Sequence, residues 1–160
     1  MTTIVCDSKM GYMAADRCAT SNDGEVACEY PKIRVIQKED GVHFLATSGH
    51  EGSGQIFEEW YEFEFKEDGE FSFSEPLEDM EEEDKFTTVI LKPNCEIWVA
   101  DHFYRPYRVY SRWYCTGTGG PFAWAILRAG CGIEKAMSTA IEMDPHSGFG
   151  YDIERLEDYE

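Results

Sequence analysis

Up to residue 116 the apolar positions come mostly in short blocks closed by turn signals, with a helical stripe at 55–63; from 121 to 143 they recur at helical spacing. Residues 2–7 and 12–16 read as strands separated by the turn Ser8-Lys9-Met10-Gly11. Ser21-Asn22-Asp23-Gly24 reads as a polar loop. Residues 32–37 are β-branched and basic, residues 42–46 are apolar, and Asp40-Gly41 between them signals a hairpin. Residues 49–54 read as a glycine-rich bend. Residues 55–63 begin a helix with Ile56, Phe57, Trp60 and Tyr61 on one stripe. From Tyr61 the aromatic positions alternate (Phe63, Phe65, Phe71, Phe73), which predicts a short helix followed by extended chain around Glu67-Asp68-Gly69. Residues 74–84 read as an acidic loop.

Residues 86–91 and 96–100 form a second hairpin across Lys92-Pro93-Asn94, and residues 107–110 and 113–116 are short strands. Residues 121–129 read as a helix with proline in its first turn and Gly130 as its stop. Residues 133–143 read as a second helix, with Ile133, Met137, Ala140 and Ile141 at core spacing. Residues 149–153 are a last strand before a charged tail. The order is strands, a short helix, strands, two helices and a strand. Two antiparallel sheets with helices outside, a four-layer α/β sandwich, is one of several α+β arrangements that accommodate it.

A chain of 160 residues with 42% hydrophobic and 14% aromatic content suits one domain with a sizeable core and is too apolar for disorder. No apolar run is long enough to span a bilayer, and the start lacks the pattern of a signal peptide. The six cysteines are spread singly with no CxxC pair, which points to buried thiols in a reducing compartment, the cytoplasm, rather than to disulfides or zinc. The net charge of −18 opposes binding to nucleic-acid phosphates and favours basic partners or substrates. From Glu58 to Asp84 there are 14 acidic residues and a single basic one, Lys66. That run reads equally as a solvated loop, and residues 79–84 lack the spacing of an EF-hand calcium loop.

The start of the chain carries candidate chemistry. Thr2 is small enough for Met1 to be trimmed, which would leave one residue with both a hydroxyl nucleophile and a free α-amine to act as base. The strand that follows would hold this terminus rigidly, where most termini fray. An ordinary start codon before polar residues gives the same letters.

Four further motifs follow in order: Ala15-Asp16-Arg17-Cys18-Ala19-Thr20, Pro31-Lys32-Ile33, Gly117-Thr118-Gly119-Gly120-Pro121 and Asp144-Pro145-His146-Ser147-Gly148. Together with Thr2 they resemble the proteasome β-subunit and HslV peptidase family, the threonine-type N-terminal nucleophile (Ntn) hydrolases. The resemblance runs from Thr2 to about Ile153 and is weak from Gly54 to Lys85. It implies one proteasome-like domain over residues 1–160, with an acidic insert at about 58–85. The implied fold is an αββα sandwich of two antiparallel sheets, α+β, with a shortened helical layer.

The resemblance also implies roles. Lys32 matches the family's lysine beside the threonine oxygen, and Asp16 the aspartate that keeps that lysine charged and oriented. A nearby cation would push the terminal amine from its ordinary value of ~8 toward neutrality. By themselves Lys32 reads as a solvated strand lysine and Asp16 as a turn or cap residue. Thr118 stands where the family has the serine of GSGG, with a hydroxyl suited to bonding the amine and relaying a proton. Asp144 and Ser147 match DxxSG, which supports the amine from the far side; by themselves they read as a helix end before an Asp-Pro turn. The family takes an oxyanion donor from the glycine bend after its fourth strand, here residues 46–52, which makes Gly49 the first candidate and Ser48 the second. His50 is read as a pocket or surface residue.

The expected activity is hydrolysis of peptides or unfolded protein with no metal or organic cofactor. A homo-oligomer, ring included, is expected, with subunit number open because the helical region on which family rings rely is rewritten here. Degrading folded proteins would need an unfolding ATPase partner, which the sequence does not show. The family's arginine two places after the aspartate is replaced by Cys18, with Arg17 ahead of it. A retained Met1 would acylate the amine and leave an inactive proteasome-like assembly or interaction module. An Ntn amidase acting on a small molecule is the other alternative, since fold alone does not set substrate.

Overall fold

The computed structural model describes residues 2–21, 27–63, 85–101 and 106–160. Among them are two stacked antiparallel sheets. The first has the order β10-β1-β2-β11, from β1 (Thr3–Asp7), β2 (Tyr12–Asp16), β10 (Trp113–Gly117) and β11 (Tyr151–Arg155). The second runs β5-β6-β7-β8-β9, from β5 (Ile33–Lys38), β6 (Gly41–Gly49), β7 (Phe86–Leu91), β8 (Ile97–Asp101) and β9 (Tyr107–Val109). A two-stranded ribbon, β3 (Cys18–Thr20) with β4 (Ala27–Glu29), lies outside both.

Period-two alternation sorts the side chains into layers. Along β1 and β2, Ile4, Cys6, Met13 and Ala15 enter the core between the sheets, where they meet Phe44, Ala46, Val89 and Leu91. The intervening Val5 and Ala14 face the opposite way, against Ala123, Leu127, Met137 and Ala140 of α2 (Gly120–Arg128) and α3 (Ile133–Met143). Helix α1 (Glu51–Phe63) covers the far face of the second sheet, with Phe57 and Tyr61 packed on Leu45, Ile90 and Ala100. The layers are therefore helix pair, sheet, sheet, helix: the αββα sandwich expected from the sequence. Strand β1 is buried at all five positions because it is central in its sheet and covered on both sides.

Several elements depart from the sequence reading. The bend expected at 49–54 does not form: β6 continues to Gly49 and α1 begins at Glu51. Gly54 stands inside the helix with its backbone against the Thr47 side chain, where a Cβ would overlap. Nor is the chain extended at Tyr61 and Phe63, where helical spacing prevails. Phe57 and Tyr61, at i and i+4, are both fully buried, and Lys38 Nζ donates to the Tyr61 carbonyl at 2.7 Å. The acidic insert is therefore helical over residues 58–63; residues 64–84, and with them the rest of the insert, the turn at 67–69 and the acidic loop, lie outside the described residues. The ribbon β3–β4 was not anticipated; of the loop expected at 21–24, only Ser21 is described.

Since α1 docks through few large side chains, Phe57→Ala should cost ~3–5 kcal/mol. Urea unfolding checks this, and a loss under 1 kcal/mol would mean that the helix is not anchored by that ring.

Candidate active site

Antiparallel pairing sets β10 and β2 beside the start of β1, and hydrogen bonds bring Lys32 and residues 147–148 to the same place. Thr3 pairs with Gly117 of β10, and Ile4 with Ala15 of β2, which sets Asp16 beside the residue that opens the strand. The Asp16 carboxylate is fully buried and accepts four bonds. Oδ1 takes the Thr3 N–H at 2.8 Å and Lys32 Nζ at 2.9 Å; Oδ2 takes the Cys18 N–H at 3.0 Å and the Gly148 N–H at 3.3 Å. Lys32 Nζ also donates to Thr2 Oγ1 at 2.8 Å. Burial lowers the Lys32 pKa from its ordinary value, against the opposing charge and hydrogen bond of Asp16. A buried, hydrogen-bonded ammonium thus faces the Thr2 hydroxyl.

The second group lies on the helix side of the same sheet. Thr3 alternates with Thr2, so its hydroxyl turns away from Lys32 and meets Ser147 Oγ at 2.7 Å. Ser147 Oγ donates to Asp144 Oδ2 at 2.6 Å, as does Thr118 Oγ1 at 2.6 Å. Burial alone would raise the Asp144 pKa, but the two hydroxyls and the His146 N–H hold it below its ordinary value. The expected set Thr2, Asp16 and Lys32 is therefore brought together, and Thr118, Asp144 and Ser147 form a contiguous network joined to it through Thr3. The described bond of Thr118 runs to Asp144. Thr3 was missed by the sequence reading, although strand alternation from Thr2 was enough to single it out.

The glycines of the 117–120 motif have a packing reason. Gly117 has φ +84°, and a Cβ there would overlap the Thr2 carbonyl; one at Gly119 would overlap the Thr3 hydroxyl. They let β10 and the entry to α2 lie directly against the chain start.

Gly49 ends β6 with φ +99°. The His50 N–H bonds the Lys85 carbonyl at 2.9 Å, so by ladder alternation the Gly49 N–H is directed to the opposite edge, toward β5. Pairing with β5 begins only at Ile33 opposite Ala46, which leaves that edge open beside Lys32. The Ser48 N–H, one residue back, is on the β7 side. His50 Nδ1 accepts the Ser53 N–H at 3.2 Å and bonds Ser53 Oγ at 2.8 Å, so His50 caps α1.

A cleft of about 470 Å³ adjoins these groups; Thr2, Cys18, Tyr30, Lys32, Gly49 and Glu58 are among the residues lining it. Glu58 is 8% exposed, and burial pushes its pKa up to about 7, although the Thr47 hydroxyl and the Arg34 charge pull the other way. Among the described residues no group of three or more His, Cys, Asp or Glu side chains is placed to hold a metal ion, and no helix is long and apolar enough to cross a membrane.

No family model and no curated protein matches the chain. Solved structures do. HslV from Trypanosoma brucei superposes with a TM-score of 0.64 at 18% identity, covering 96% of this chain and 98% of that one. The BPH protein of Thiobacillus denitrificans in complex with epoxomicin gives 0.63 at 18% identity, covering 97% and 99%. Anbu, the ancestral beta-subunit, from Yersinia bercovieri gives 0.70 at 7% identity, covering 96% and 80%. At these identities the likeness is one of fold, and the fold is the Ntn-hydrolase sandwich.

Glu58 yields a stability test. Its folded pKa of about 7 lies above the ordinary 4.5, so the stability linked to its protonation is complete below pH 4.5 and lost as pH rises through about 7. Glu58→Gln should be more stable than the parent at pH 8, on the order of 1–3 kcal/mol, with the gain gone by about pH 5. Urea unfolding at the two pH values measures it; equal stability at pH 8 would contradict the burial assigned to this carboxylate.

Proposed function

We propose that the chain is a threonine-type peptidase whose nucleophile is Thr2 after removal of Met1. The observation that carries this reading is the line of contacts from Asp16 Oδ1 to Lys32 Nζ at 2.9 Å and on to Thr2 Oγ1 at 2.8 Å. A threonine hydroxyl is a weak nucleophile, and an adjacent ammonium lowers the cost of developing negative charge on its oxygen.

In the mechanism, Thr2 Oγ attacks a peptide carbonyl and its proton passes to the α-amine of the same residue. The carbonyl oxygen becomes an oxyanion that the Gly49 N–H receives. Collapse breaks the C–N bond, the protonated amine delivers its proton to the leaving nitrogen, and an ester on Thr2 Oγ remains. Water, deprotonated by the amine, attacks that ester; the acid product leaves and Oγ regains its proton. Asp16 keeps Lys32 charged and aimed. Thr118, Asp144 and Ser147 steady the terminus from the helix side through Thr3.

The substrate is a peptide or unfolded protein chain, and the active form is a homo-oligomer, a ring being the arrangement the fold suggests, with an ATPase unfoldase as partner for folded substrates. The six free cysteines support a reducing compartment, the cytoplasm. The competing reading, an inactive module with Met1 in place, makes the opposite prediction at each step below.

Intact mass of fresh protein should lack Met1, and epoxomicin, the ligand of the similarly folded BPH, should add to the parent and not to Thr2→Ala. Fluorogenic peptides should be cleaved by the parent, and Thr2→Ala should abolish turnover. Lys32→Met should lower kcat by about 10²–10³-fold, the scale of removing one electrostatic donor. Persistence of Met1, or peptide turnover that survives Thr2→Ala, would overturn the proposal; hydrolysis of small amides without peptides would point to an amidase.

A further inference from the structure

We propose that Glu58 determines the side-chain preference of the cleft beside Thr2, selecting the cationic side chain of lysine or arginine. For its role in turnover this rests on the peptidase reading; for its role in binding it does not.

The cleft's charges are unequal in how they are used. Two cations line it, Lys32 and Arg34. Lys32 is held by Asp16 and Thr2, and Arg34 is hydrogen-bonded to Glu62. Three carboxylates line it too, Glu51, Glu58 and Glu59, all on α1. Glu58 differs from the other two in being buried while they are exposed. Its position is fixed: Thr47 donates to Oε1 at 2.7 Å, and Thr47 in turn shares a 2.7 Å bond with Thr88. Among the described residues the cation nearest Oε2 is Arg34 at 4.0 Å, outside hydrogen-bonding distance. Such a carboxylate supplies a charge-assisted acceptor to an entering ammonium or guanidinium. An acidic side chain would meet three like charges, and an apolar one would further bury the carboxylate with only the Thr47 bond and the Arg34 charge at 4.0 Å to offset it.

The groups facing Glu58 support a pH dependence of known sign. They are Arg34 from β5, Thr47 from β6, Thr88 from β7, and Glu51, Glu59 and Glu62 on its own helix, with Lys32 and His50 also lining the cleft. Burial holds the carboxyl near neutrality in the empty cleft, at about 7. A cation that pairs with it favours the ionised form, so binding releases a proton and tightens as pH rises from 6 to 8.

The test uses the Thr2→Ala protein, which binds without turnover, and calorimetric titration with short peptides ending in arginine, in its neutral isostere citrulline, in leucine or in glutamate. Arginine should bind at least about tenfold more tightly than citrulline, and its affinity should rise about tenfold from pH 6 to 8. Glu58→Gln in the same background should erase both differences while leaving leucine binding unchanged. Glu51→Gln should leave most of the preference in place. Equal affinity for arginine and citrulline, or a preference that survives Glu58→Gln, overturns the inference. Circular dichroism of the Glu58→Gln protein confirms that a lost preference is not lost folding. With Thr2 intact, cleavage after leucine but not arginine would sink the inference and keep the peptidase reading; arginine-selective binding with no cleavage of any peptide would do the reverse.

Discussion

The buried carboxylate of Asp16 holds the site together. Its two oxygens bind the first N–H of β1, the N–H that opens β3, the Gly148 N–H ahead of β11 and the Lys32 ammonium. Each group comes from a different part of the sequence, and a fully buried carboxylate with four donors is one of the few ways to keep an ion in such a place. Replacing Asp16 by a side chain that accepts no hydrogen bond would take from Lys32 this counter-ion and from the Thr3 N–H its acceptor. Fold and chemistry therefore share a single contact: what secures the start of β1 also orients the cation toward the Thr2 hydroxyl.

The strand geometry of β1 divides the surroundings of the terminus into two halves. The Thr2 hydroxyl meets Lys32 and the cleft, while the Thr3 hydroxyl meets Ser147 and, through it, Asp144 and Thr118. Two consecutive threonines thus reach two polar networks that a single side chain could not bridge. The helix-side network consists of hydroxyls converging on one carboxylate oxygen, a short-range lattice that resists rearrangement.

Much of this was legible in the sequence, for identifiable reasons. β2, β7 and α3 were read with the bounds they have, because turn signals at Ser8–Gly11, Lys92–Asn94 and Gly130 punctuate strong periodicity. The grouping of Thr2, Asp16 and Lys32 was legible only through the order of the motifs, since nothing in the local composition around Lys32 distinguishes it from a surface strand lysine. What was not legible depended on tertiary contact. The start of α1 looked like a loop because Gly52 and Gly54 weaken local helix propensity; Gly54 is tolerated because β6 approaches too closely for a side chain. Glu58 looked like the first residue of a solvated acidic run, and its burial follows from the packing of Phe57 and Tyr61 on either side of it.

The close approach of Gly54 to Thr47 also bears on how such a cleft can change. Helix α1 forms one wall and β6 the adjoining floor, and where they meet the Gly54 backbone lies directly against the Thr47 side chain. A wall seated this closely resists movement toward the strand. Narrowing of the recess at that seam is therefore closed off, and its character is set by the groups mounted on the wall, at positions such as 51, 55, 58 and 59.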